Sequence, residues 1–151
     1  MLLHHELAES REALPGWKDL LSAVQDRKAE IFLRALQDLV ADLSDQGPLQ
    51  RIIDDRDAGS LALFIGLPEG YRRSLAGGLG AAYGRFRKDR DWTALNEERR
   101  SCLGRFAPLR ERAYALYAGG GRERLLAGMD ELLRSADPAQ GGSLPARTVV
   151  G

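Results

Sequence analysis

Apolar residues recur at three- and four-residue steps along most of the chain, which is the spacing of one face of an α-helix. The clearest segment runs from Trp17 to Leu43 without proline or glycine, and its apolar positions include Val24 and Ile31. At 1.5 Å per residue, a single helix over this segment would be about 40 Å long. The same periodicity places Lys28 between Val24 and Ile31, so a positive charge is expected on the buried arc.

Shorter amphipathic segments follow, separated by proline and glycine. Pro48 is well placed to begin a short helix. The apolar run 61–67 predicts a helix, because leucine and alanine dominate it and no partner strand occurs elsewhere. Pro68 begins a further helix with an apolar face from Tyr71 to Phe86. The last amphipathic segments are 92–106, 108–118 and 122–134.

These patterns predict an all-α fold, namely a single-domain bundle of five to seven amphipathic helices over residues 1–137. Residues 138–151 are rich in proline, glycine and alanine, and we expect a flexible tail there. A chain of 151 residues is long enough to bury a core without a disulfide or a metal. The N-terminus does not resemble a signal peptide, no apolar stretch is long enough to span a membrane, and Cys102 has no partner for a disulfide. We therefore expect a cytoplasmic protein that is not embedded in a membrane.

Glycine is unusually frequent in the helix after Pro68, where Gly77, Gly80 and Gly84 fall on a face nearly opposite the aromatic one. Each glycine inside a helix costs about 1 kcal/mol relative to alanine. Such a face allows another backbone to approach closely, either within the bundle or from a second subunit. Arg72 and Arg73, near the start of the same predicted helix, complete the set of candidate interface residues.

Two charged residues interrupt apolar stripes. Lys28 does so in the first long helix, and Arg99 lies among Leu95, Cys102 and Phe106. An unpaired buried charge costs several kcal/mol, so each must have a partner or reach water. Structural ion pairing is one interpretation. The alternative is that Lys28 and Arg99 converge on one pocket that holds an anionic ligand, as a binder or an enzyme would.

Charge is distributed unevenly although the net charge is zero. Residues 1–70 carry 13 acidic and 7 basic side chains, whereas residues 71–151 carry 9 and 15. The region 72–112 holds 11 basic and 5 acidic residues interleaved with aromatic ones, which is typical of some nucleic-acid surfaces. The aromatic residues fall on predicted core faces, however, so packing explains them better than base stacking does.

Candidate catalytic or metal-binding groups are sparse. The acidic residues of 54–57 lack the spacing of a calcium loop, His4 and His5 stand near the N-terminus, and Cys102 lies on an apolar helix face. We therefore expect no metal and no cofactor. Glycines 119–121 and the pair at 141–142 suit a helix end and a spacer better than an anion cradle or a processing site.

Taken together, these features favour a regulatory or adaptor protein that binds a macromolecular partner through a helical face. The partner is expected to be another protein, and a second copy of the chain is one possibility. Two alternatives stay open at this point. One is a small anionic ligand held by Lys28 and Arg99, and the other is nucleic acid bound by residues 72–112.

Overall fold

The structure, a computed structural model, describes residues 14–137. Its architecture is an all-α bundle in one compact body, and the described residues contain no strand. The helices in chain order are α1 (Trp17–Val24), α2 (Arg27–Leu43), α3 (Pro48–Asp55), α4 (Ala58–Gly66), α5 (Gly70–Leu75), α6 (Gly77–Asp89) and α7 (Trp92–Ala136). The prediction of an all-α bundle is confirmed. The expected tail 138–151, with its glycine pair, and His4 and His5 lie outside the described residues.

The expected single helix from Trp17 to Leu43 is two helices. Gln25 adopts the left-handed conformation with φ 44°, and Asp26 begins α2 as its N-cap by accepting a hydrogen bond from the Ala29 amide at 2.8 Å. An aspartate at this position satisfies an amide that the first turn of a helix leaves without a partner. The prediction was wrong because the seven-residue step from Val24 to Ile31 indicates one continuous apolar face, whereas Val24 is buried and Ile31 is 43% exposed.

Helix α2 lies at the centre of the bundle. It packs against α1, α3, α5 and, most extensively, α7. Its inner side chains, among them Phe32, Leu33, Leu36 and Leu43, are fully buried. Gly47 follows α2 so closely that a Cβ atom there would lie 2.3 Å from the Ala41 carbonyl oxygen. Only glycine fits this turn, which directs the chain from α2 into α3.

Helix α7 is a hairpin of two arms. It is continuous through Pro108, contrary to the predicted boundary at residues 106–108, and it breaks at Gly120 and Gly121. Gly121 has φ 65°, a conformation that glycine adopts readily and other residues rarely do. The second arm returns along the first, so that Arg112 and Glu131 form an ion pair at 2.8 Å.

The helix expected to begin at Pro68 starts at Gly70 and breaks at Ala76, which separates α5 from α6. The predicted core face of α6 is confirmed, since Leu79, Ala82 and Phe86 are buried. The Phe86 ring contacts the Trp92 ring edge-on at 4.5 Å between centroids. Within residues 14–137, no helix combines the length and apolarity needed to cross a membrane.

Candidate functional site

Arg99 is fully buried, as its position in an apolar stripe predicted, and each of its three guanidinium nitrogens donates a hydrogen bond. Nη1 donates to the carbonyl oxygen of Leu43, Nη2 donates to Asp45 at 2.9 Å, and Nε donates to Asn96 at 2.9 Å. Leu43 is the last residue of α2, where carbonyl groups lack helical partners and the helix dipole favours a cation. Arg99 therefore caps α2.

Lys28 does not share a pocket with Arg99. The break after Val24 moves Lys28 to the first turn of α2, where its side chain is exposed. Arg99 binds the other end of the same helix, about 22 Å away at 1.5 Å per residue. The structure thus does not bring the two cations together, and the expected placement of Lys28 on the buried arc was wrong.

Two further arginines of α7 also donate a hydrogen bond to the last carbonyl group of another helix. Arg105 donates to the carbonyl oxygen of Leu75 at 3.2 Å, and Arg122 donates to that of Val24 at 2.9 Å. These acceptors are the last residues of α5 and α1. Helix α7 thereby caps three other helices with arginine side chains. Much of the arginine content of its first arm is accordingly explained by contacts inside the fold.

Helix α4 contrasts with the buried arginine side chains of α7, because it exposes apolar side chains. Asp57 starts the helix by accepting hydrogen bonds from the Ser60 hydroxyl at 2.6 Å and the Ser60 amide at 3.0 Å, and these bonds, the hydroxyl's above all, lower the pKa of Asp57. Within the helix only Leu61 is buried, whereas Leu63 is 58% and Leu67 66% exposed. The exposed positions form one helical face, here named the α4 stripe: Gly59, Ala62, Leu63, Gly66 and Leu67.

A groove of about 230 Å³ lies beside α4. Buried Leu39 and Leu79 and half-buried Phe64 and Ile65 give it an apolar lining between α2, α4 and α6. Its volume is below the range of about 300–1,000 Å³ typical of small-molecule sites. A groove of this size is small for a cofactor.

Four of the five candidate interface residues line this groove, namely Arg72, Arg73, Gly77 and Gly80. Gly84 lies two turns further along the same face of α6 as Gly77. All three glycines are exposed, and a Cβ atom at any of them would meet no atom within 4 Å. The proposed close packing of this face inside the bundle was therefore wrong. Gly78 instead faces α7, where a Cβ would lie 2.5 Å from the Glu98 carboxylate, the mobile end of a flexible side chain.

The two arginines of the groove differ in their contacts. Arg72 forms ion pairs with Asp42, which is buried, and with Asp38 at 3.8 Å, so it holds α5 against α2. Arg73 is exposed and pairs with no carboxylate among residues 14–137. Sequence reasoning missed Phe64, Ile65 and Leu67, although an apolar run without a polar face could have marked them.

The remaining chemical candidates are accounted for by local structure. Burial, followed by the neighbouring Glu98 carboxylate, raises the pKa of Cys102 to about 12, so the thiol stays protonated at neutral pH. In the acidic run, Asp54 accepts from Gln50 and Asp55 from Arg51, both at 2.7 Å. Over the part of the chain that the structure describes, no three potential ligands are grouped closely enough to hold a metal ion.

Comparison with known proteins assigns the chain to a family but gives it no function. No curated protein matches it, and no solved structure does either. A family model described as "Family of unknown function (DUF6866) C-terminal domain" matches residues 1–135. Because this match covers most of the 151 residues, the chain belongs to the DUF6866 family of unknown function.

Proposed function

We propose that this chain is a protein-binding domain, with an adaptor or regulatory role in the cytoplasm, that docks its partner on the α4 stripe. The observation that carries the proposal is the exposure of Leu63 and Leu67 on a helical face without a charged residue. Folded domains place such a face inward, and an exposed apolar face is typical of an interaction surface.

The energetics support docking at this face. Fully burying a leucine side chain contributes about 1.5–3 kcal/mol, so covering the exposed parts of Leu63 and Leu67 contributes about 1–2 kcal/mol each. The small residues Gly59, Ala62 and Gly66 alternate with the leucines and allow a partner helix to approach closely.

The two alternatives have less support. A shared anionic pocket requires Lys28 and Arg99 to converge, but they lie at opposite ends of α2. A nucleic-acid surface requires the basic residues of 72–112 to face outward together, but Arg99 and Arg110 are buried and Arg105 binds the end of α5. Protein binding needs neither arrangement.

Affinity capture from the lysate of the source cells, after nuclease treatment, tests the proposal. The tagged wild-type domain is compared with the variant Leu63→Glu/Leu67→Glu, which places charges on the stripe. The matched control is Ile31→Glu, because Ile31 is an exposed apolar residue (43%) on α2, outside the α4 stripe and the groove lining. Circular dichroism verifies that all three proteins are folded.

We expect a protein partner in fixed stoichiometry with the wild-type domain and with Ile31→Glu, and a loss of at least about tenfold with the double variant. Equal recovery of the partner by all three proteins would show that the α4 stripe is not the docking surface.

A further inference from the structure

We propose that the groove between α2, α4 and α6 is a binding site for a small aliphatic carboxylate. The hydrocarbon chain of this ligand lies among the apolar side chains of the groove, and its carboxylate pairs with Arg73. The proposal goes beyond protein docking on the α4 stripe and does not depend on it. Three observations carry it: the open space beside two glycines, the apolar lining, and one positive charge of the lining that has no ion-pair partner.

Two glycines of α6 keep the groove open. Gly77 and Gly80 both line it, and a Cβ atom at either position would meet no atom within 4 Å. Neither residue has a positive φ, so the backbone does not require glycine at these positions. Alanine would favour the helix more than Gly80 does. What the two missing side chains provide is the open volume of the groove.

The volume and the lining define the size and polarity of the ligand. An apolar cavity of about 150 Å³ can hold benzene, so the groove of about 230 Å³ has room for roughly eight or nine non-hydrogen atoms. Its apolar wall is built by three helices, with Leu39 from α2, Phe64 and Ile65 from α4, and Leu79 from α6. The groove therefore suits a short hydrocarbon chain with a small polar group at one end.

The charged groups of the lining select an anion. Asp42 lines the groove but is buried and paired with Arg72, which also pairs with Asp38 outside the lining. Arg73 lines the groove as well, yet it is exposed and pairs with no carboxylate among residues 14–137. A guanidinium binds a carboxylate through two parallel hydrogen bonds. A ligand carboxylate beside Arg73 therefore gains a partner, whereas an ammonium group would be repelled.

An aliphatic carboxylate uses both parts of the groove, which other small molecules do not. Inorganic phosphate would pair with Arg73 but would leave the apolar lining in contact with water. A neutral alcohol or hydrocarbon would cover the lining but would leave Arg73 without an ion-pair partner. Removal of apolar surface from water contributes to binding only in the first part of the groove, and charge pairing only in the second.

The test uses hexanoate at pH 7 as the probe, because its chain and carboxylate together match the roughly eight atoms that the groove can hold. Hexanol has the same chain without the charge, and acetate has the charge without the chain. NMR titration of the ¹⁵N-labelled domain measures the affinity and locates the site. The variants are Arg73→Gln, which removes the charge, and Gly80→Leu, which fills the groove. Their matched controls are Arg100→Gln on α7 and Ala81→Leu on α6, both at exposed positions outside the groove lining.

We expect hexanoate to shift the amide signals of the groove lining and to saturate with a Kd of about 1 mM or below. Hexanol should bind about fivefold more weakly because it lacks the ion pair. Acetate should bind more than about tenfold more weakly, since each buried methylene contributes about fourfold. Arg73→Gln should reduce hexanoate to the affinity of hexanol, and Gly80→Leu should abolish the binding of both. Arg100→Gln and Ala81→Leu should bind hexanoate as the wild-type domain does.

Four outcomes would overturn the proposal. Equal affinities of hexanoate and hexanol, or equal effects of Arg73→Gln and Arg100→Gln, would show that Arg73 does not select the ligand. Shifts confined to Leu63 and Leu67 would show that the chain adsorbs to the α4 stripe instead of entering the groove. The absence of saturable shifts with all three probes would show that the groove does not bind this class of molecule. Partner capture through the α4 stripe is measured separately, so either proposal can fail without the other.

Discussion

The contact between α2 and α7 buries charged side chains, whereas the surface of α4 exposes apolar ones. Where α2 meets α7, Arg99 and Arg110 lie in the interior, and Arg99 uses its nitrogens on Leu43, Asp45 and Asn96. At α4, leucines lie in solvent without a partner in the described chain. A charge inside a protein is stable only when it is paired, and the first region meets this condition within the fold. The second region leaves apolar area exposed, and we propose that a partner protein covers it.

The comparison also separates two kinds of arginine. Arg99, Arg105 and Arg122 project from α7 and donate to the last carbonyl groups of α2, α5 and α1. Arg73 and Arg87 are exposed and form no ion pair within residues 14–137. The first set therefore contributes to the stability of the fold, whereas the second lies in solvent and adds no contact of this kind.

The largest effect is expected from Arg99→Met, which preserves most of the side-chain volume but removes the donors. The Leu43 carbonyl loses its buried partner, so the free energy of unfolding should fall by about 3 kcal/mol. The adjacent exposed Arg100→Met is the control and should change it by less than about 0.5 kcal/mol. Urea unfolding of both variants measures the difference. Similar values for the two would mean that Arg99 does not cap α2.

A smaller loss is expected from Gly47→Ala. The added Cβ would lie 2.3 Å from the Ala41 carbonyl oxygen and 2.6 Å from that of Asp42, and these backbone atoms can move only if the end of α2 shifts. We expect a loss of about 2 kcal/mol in urea unfolding, as for other overpacked sites. An unchanged midpoint would show that the turn between α2 and α3 is looser than its geometry indicates.

The opposite sign is expected from Gly80→Ala. Gly80 lies inside α6 with open space around the position of a Cβ, so alanine should raise the free energy of unfolding by about 1 kcal/mol. Thermal melts of the variant and of the wild-type domain measure the change. Destabilisation by alanine would place the Gly80 face of α6 inside the fold.

The sequence predicted the buried faces more reliably than the contacts between them. Periodicity identified the core of α6 and placed Arg99 in the interior, because both follow from spacing along one helix. It did not reveal the partner of Arg99, since the Leu43 carbonyl is backbone and lies 56 residues away. The break at Gln25 was missed because the sequence spacing from Val24 to Ile31 fits one continuous helix, although Asp26 is a residue typical of an N-cap.

For the candidate site, the sequence identified the face of α6 formed by Gly77, Gly80 and Gly84, but it did not show that this face is exposed. A helix with an apolar face and a small-residue face leaves open which of them a neighbouring helix covers. Helix α4 was harder still, because a run that is apolar on every side does not indicate which face points outward. That information comes from the packing of α4 on α3 and α6, which covers Leu61 and leaves Leu63 and Leu67 exposed.

The most direct test of the account is the free energy of unfolding of Leu63→Glu/Leu67→Glu, measured by urea titration alongside the wild-type domain. If the α4 stripe is a free surface, the double variant should lose no more than about 2 kcal/mol, because less than half of each leucine side chain is buried. A loss of about 3 kcal/mol or more would show that these leucines belong to the core in solution, as large losses accompany disrupted cores, and the docking surface would not exist.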